Sequence, residues 1–136
     1  MKKTVTALVL AASFLPAYAN ASDDLDGFRG VKWGSPIEAN KAEMKVVEVS
    51  GPDAYYDRNK SNMKIGGAEL SDLRYGYWQG KFFVAMASTE GYSNFQAIRT
   101  ALGGQFGIPT QPNQFIDDYQ WYGEKSTVYL SCDGLG

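Results

Sequence analysis

The sequence predicts an α+β domain: an antiparallel sheet of five to six strands packed on one main helix at about 93–106, with a short helix at about 36–42. Three observations carry this. Apolar and polar residues alternate through 72–88 and are punctuated by Gln79-Gly80, which reads as a β-hairpin. Phe95, Ile98, Leu102 and Phe106 then recur at helical spacing. Two further alternating runs, 115–122 and 127–132, read as a second hairpin.

The chain opens Met1-Lys2-Lys3, runs apolar to Pro16 and reaches Ala17-Tyr18-Ala19. A charged start, a short apolar stretch and an A-x-A end make a signal peptide over 1–19, cut after Ala19. The apolar run is too short to span a bilayer. Residues 20–136 then form a single domain, and the localisation expected is periplasmic or secreted. Loss of Lys2 and Lys3 takes the net charge from −2 to −4. No basic stripe exists to neutralise phosphates, which argues against nucleic acid as a partner.

Along the domain, Phe28 to Trp33 suits a short extended segment. Ser35 and Pro36 suit the start of the short helix. Residues 44–50 read as a strand, Gly51-Pro52-Asp53 as a turn, 54–63 as a loop or ragged strand pair, and Gly66-Gly67 as a bend. A two-residue turn at Gln79-Gly80 sets Trp78 opposite Lys81, Tyr77 opposite Phe82, Gly76 opposite Phe83 and Tyr75 opposite Val84. The core face of that hairpin is then Leu73, Tyr75, Tyr77, Phe82, Val84 and Met86. Ser93 with Gln96 forms a capping-box pattern for the main helix, and Gly107 and Pro109 end it. Gly103 and Gly104 inside it imply early fraying or close packing on the sheet. In the second hairpin a turn at Glu124-Lys125 pairs Trp121 with Val128 and Tyr119 with Leu130. Cys132, the only cysteine, falls beside Val128 and Leu130 as a small buried hydrophobe. Asp133-Gly134 is a turn signal with no strand after it, which reads as a C-terminally shortened domain. Strand 127–132 would then be an uncharged open edge, suited to self-association or to an extended segment of a partner.

The run Phe28-Arg29-Gly30-Val31-Lys32-Trp33-Gly34-Ser35 resembles the opening motif of small bacterial periplasmic α+β domains of unassigned function. The small lipoproteins of outer-membrane protein assembly are one such group; this chain has the motif without their lipidated cysteine. The resemblance implies an α+β fold in the cell envelope and brings no catalytic residues.

The chain contains no histidine, which removes the commonest general base and metal ligand and every Ser-His or Cys-His pair. No phosphate loop, dinucleotide fingerprint or Gly-x-Ser-x-Gly turn occurs. No catalytic, cofactor or metal-ligating set is therefore assigned, and Asp117-Asp118, adjacent on a strand, point to opposite faces. The aromatics remain: nine Tyr, seven Phe and three Trp, more than one small core needs. Trp78, Phe83, Tyr55, Tyr56, Tyr122 and Tyr129 are the binding candidates, suited to sugar rings or a protein anchor. The expected function is a non-enzymatic binding module with a protein or glycan partner in the cell envelope. The alternatives are a carboxylate-dependent hydrolase of cell-wall sugar and a proteinaceous enzyme inhibitor.

Overall fold

A computed structural model describes Val5–Ala12 and residues 26–132. The expected cut after Ala19 and the Asp133-Gly134 turn lie outside the described residues. In chain order the strands are β1 (Val5–Ala12), β2 (Gly27–Phe28), β3 (Val31–Lys32), β4 (Met44–Ser50), β5 (Asp53–Arg58), β6 (Lys64–Ile65), β7 (Ala68–Glu69), β8 (Asp72–Trp78) and β9 (Lys81–Glu90). The helix α1 (Tyr92–Phe106) follows, then β10 (Asp118–Tyr122) and β11 (Ser126–Cys132). The chain is thus α+β, and its strand pairs are antiparallel. No helix among the described residues is long and apolar enough to cross a membrane.

The sheet runs β10-β11-β1-β9-β8-β5-β4. The strand β1, from the segment read as a signal peptide, lies inside it, third in the order, and pairs with β9 on one side and β11 on the other. The strands beyond residue 20 therefore do not make one sheet of five to six strands, as expected. They fall into a block of four (β4-β5-β8-β9), the hairpin β10-β11, and the small hairpins β2-β3 and β6-β7. With β1 in place, strand 127–132 is not the open edge expected of residues 20–136, because β11 is flanked by β10 and β1. Within 54–70, β5 pairs with β4 and β8 and β6 pairs with β7.

The β8–β9 hairpin turns at Gln79-Gly80, both with positive φ (49° and 78°), as a two-residue turn with right-handed strands requires. Trp78 faces Lys81 and Tyr77 faces Phe82 as expected, but a bulge then shifts the register to Gly76–Val84 and Tyr75–Ala85. Phe83 has no rung of its own, and Ala85 and Ala87 take the core positions expected of Val84 and Met86. The cause is steric. Val84 and Tyr55 close over Gly76, where a Cβ would overlap Val84 Cγ1 and stand 2.9 Å from Tyr55 Cε1.

One face of the sheet is covered. Over β9 to β10 lies α1, which buries Phe95, Ile98, Leu102 and Phe106. These pack with Tyr119, Trp121, Val128 and Leu130, and Trp121 Nε1 donates to the Gly107 carbonyl (2.9 Å) where φ of +86° ends the helix. Over β8 and β5 lie β2–β3 and the loop after them. Trp33 stacks on Phe82 (centroids 4.9 Å apart), Phe28 tilts against Tyr75, and Val31 and Ile37 are buried.

Two local expectations change. Gly91, not Ser93, is the N-cap of α1; Ser93 lies inside the first turn and makes no cap bond. The short helix at 36–42 is two 3-10 turns, Ile37–Ala39 and Lys41–Glu43. Pro36 is extended (ψ 149°) and bridges to Lys81, and Asn40 (φ −129°, ψ 13°) breaks the turn between them.

Candidate functional site

Among the described residues, no helix or hairpin covers the sheet's other face. Residues directly opposite share a face, so the rungs place Tyr55, Gly76 and Val84 on it, with Arg74 beside Met86 and Gln120 beside Tyr129. Trp78 is 49% exposed there, Met86 38%, Tyr129 38% and Tyr122 39%, so four large side chains of this face meet solvent.

Four of the six expected binding residues thus share this face, and two do not. Tyr56 faces the core and meets Tyr77 edge-on at 5.3 Å. Phe83 is half-buried in the bulge. The four are also not one compact cluster. Trp78 and Tyr55 stand diagonally across β8 and β5 at one end, whereas Tyr122 and Tyr129 belong to β10 and β11. Five strand spacings, about 24 Å, separate β5 from β10. Between them Arg74 bridges Glu48 (3.1 Å) and Asp72 (2.9 Å). Tyr55 is partly desolvated under this layer; burial first, then Asp53 and Glu48, push its phenol above the ordinary range. The Tyr122 hydroxyl donates to Gln120 on its own strand.

A second feature is a cleft of about 350 Å³ bordered by Arg29, Glu43, Arg58, Lys60, Asn62 and Tyr75. Arg29 donates to the carbonyls of Asn62 and Lys64. Arg58 donates to the Arg29 carbonyl and to Glu43, each at 2.8 Å, with its guanidinium 5.6 Å from the Tyr75 ring centroid. Hydrogen bonds from Asn40 and then Arg58 hold the Glu43 carboxyl below its usual range. Both arginines are committed to protein oxygens, so the cleft is a brace between the loop at 29–30 and β5. Sequence reading missed it because its residues are spread over 29–75 and meet only through the fold.

The adjacent carboxylates part as expected. Asp117 accepts from the Tyr119 hydroxyl (3.0 Å), and Asp118 accepts from Ser131 Oγ (2.7 Å). Among the described residues no group of three or more Asp, Glu, Cys or His side chains is placed to hold a metal ion. Cys132 is half-buried, packed at the margin of the core rather than within it. The motif at 28–35 does packing work: Val31 is buried, Trp33 lies on Phe82, and the backbone of Gly34 and Ser35 bonds that of Phe82.

Comparison with protein-family models, with curated proteins and with solved structures found no match to this chain.

Proposed function

We propose that the chain is an exported, non-enzymatic interaction module of the cell envelope that binds a protein partner across the open face of its sheet. The observation that carries this is the asymmetry of the sheet. One face is covered by α1 and the small hairpins, and the other presents Trp78, Met86, Tyr122 and Tyr129 to solvent. Aromatic and Met side chains on a broad surface are the composition of protein interfaces. Aromatics spread over separate strands rather than gathered in one cluster suit a protein better than a sugar ring. The signal-like start and the likeness of 28–35 to periplasmic domains support the compartment. The polar bonds already made by Asp117, Asp118 and Glu43 support a structural role for these carboxylates.

The test is affinity capture from envelope extract with wild type and Trp78→Ala, alongside binding to purified cell-wall polymer. One defined protein, retained by wild type and at least tenfold depleted by Trp78→Ala with unchanged circular dichroism, supports the reading. Binding to the polymer without a protein would replace it with a glycan ligand, and release of sugar from the polymer with a hydrolase.

A further inference from the structure

Among the described residues, the ladder hydrogen bonds that join the two sheet blocks run through β1. Its seven rungs to β11 run from Thr6–Cys132 to Ala12–Ser126, and its seven rungs to β9 run from Val5–Glu90 to Ala11–Val84. Strands at two spacings, about 9.6 Å, cannot bond one another directly. Without β1, both β9 and β11 present unpaired N–H and C=O groups to a gap one strand wide.

The gap is specific. Its core-side rungs join Ala85 to Val128 and Ala87 to Leu130, four residues that are fully or almost fully buried, through Leu10 and Leu8. The outer-side rung at Val9 joins Met86 and Tyr129, which are exposed. An occupant needs alternate aliphatic residues and tolerates varied ones between. From Val84 to Thr89 and from Ser126 to Cys132 the two edges carry no charge and no proline, the devices that usually blunt an edge. The end beyond Val84 is closed, because Gly34 donates to the Phe82 carbonyl and Phe82 donates to that of Ser35. The segment seated there, Val-Thr-Ala-Leu-Val-Leu-Ala-Ala, has the matching chemistry: uncharged, aliphatic, eight residues long.

We propose that the gap between β9 and β11 is a strand-acceptor site that takes an uncharged, aliphatic segment of a partner polypeptide, antiparallel to both edges, once β1 has left with the leader. Departure of the leader rests on the export reading above; the acceptor geometry does not. Recognition is by β-augmentation on two edges at once: backbone bonds supply affinity, and the Ala85–Val128 and Ala87–Leu130 rungs supply specificity.

The experiment uses the full chain with a specific protease site placed after Ala19, folded and then cut. A labelled peptide of sequence 4–13 is offered to the cut protein, and a second peptide carries proline at the position of Leu8. Amide exchange is followed at 85–88 and 128–130. Expected are exchange of the label into the protein at one peptide per chain, at least tenfold weaker uptake of the proline peptide, and protection of those amides only when the unmodified peptide is bound. Equal uptake of both peptides, or no gain in protection, overturns the proposal. So does protection of the same amides in 20–136 alone, which as a monomer would show the chain closing its own gap and as a dimer a second copy filling it. The intact mass of protein recovered from an envelope fraction reads the export question separately. Retention of residues 1–19 there would sink the export reading while the peptide experiment still decided the acceptor site.

Discussion

Replacing Gly103 and Gly104 with alanine should stabilise the protein, although both positions sit in its principal helix. The chain stays helical through them to Phe106, so neither fraying at the glycines nor close packing on the sheet describes them. A Cβ added at either position meets nothing within 4 Å. Alanine is favoured over glycine in a helix interior by about 0.8–1.0 kcal/mol, because glycine loses more backbone freedom on folding. The two side chains would share no partner, so the double variant should gain a little under about 2 kcal/mol. For a domain of this size that is roughly 5–10 °C in Tm. The control is the same chemistry with the opposite sign: Gly76→Ala drives a methyl into Val84 Cγ1 and Tyr55 Cε1. Overpacking of this kind typically costs about 1–3 kcal/mol. Urea unfolding of the three proteins, with m-values compared, measures both effects. A neutral or destabilised double variant would show that α1 does not persist to Phe106, and a neutral Gly76→Ala that the bulge at Phe83 is not held.

The hydroxyl of Tyr77 is buried without a hydrogen-bond partner among the described residues, and burial pushes its pKa up to about 12. The unfolded chain therefore loses this proton first, from about pH 10. Stability should be fully present below pH 10 and fall between pH 10 and 12, which a urea series across that window measures. Tyr77→Phe should be neutral or stabilising by about 1 kcal/mol and should flatten that decline; a loss of stability would reveal a partner for the hydroxyl. Trp121→Phe removes the bond to the Gly107 carbonyl and should lower stability by about 1–2 kcal/mol, read from the denaturation midpoint. Cys132, at the core margin and in register with Thr6, should react slowly with a thiol reagent in the full chain and markedly faster after β1 is displaced. Equal rates would detach the thiol from the state of the gap.

Local chemistry made much of this fold legible. Gln79-Gly80 fixed a turn that the structure keeps, and the Trp121–Val128 pairing followed from matching apolar residues across a short loop. The spacing of Phe95, Ile98, Leu102 and Phe106 located the helix to within a residue at its start. What could not be read was non-local. The bulge at Phe83 depends on Tyr55 of another strand reaching over Gly76. Ser93 has the chemistry of a cap, but Gly91 at φ 88° turns the chain two residues earlier. Tyr56 and Tyr55 are adjacent and alike in sequence; only the pairing of β5 with β8 decides which is core. The role of Val5–Ala12 was hidden for a different reason. An uncharged aliphatic run satisfies a signal peptide and an interior strand of a sheet equally well, and composition alone does not separate them.

The position of β1 also sets an order of events during synthesis. Of the described strands it is the first to be synthesised, and one of its two partners, β11, is the last. Pairings of such long sequence separation form slowly, because the intervening chain must be ordered before they are rewarded. Until Ser126–Cys132 has been made, the N-terminal segment has at most one edge to bind, that of β9. The sheet therefore cannot close around its N-terminal strand before Ser126–Cys132 has been made. Delayed closure leaves this aliphatic segment without its second partner until then, so the order of synthesis sets when it can be enclosed.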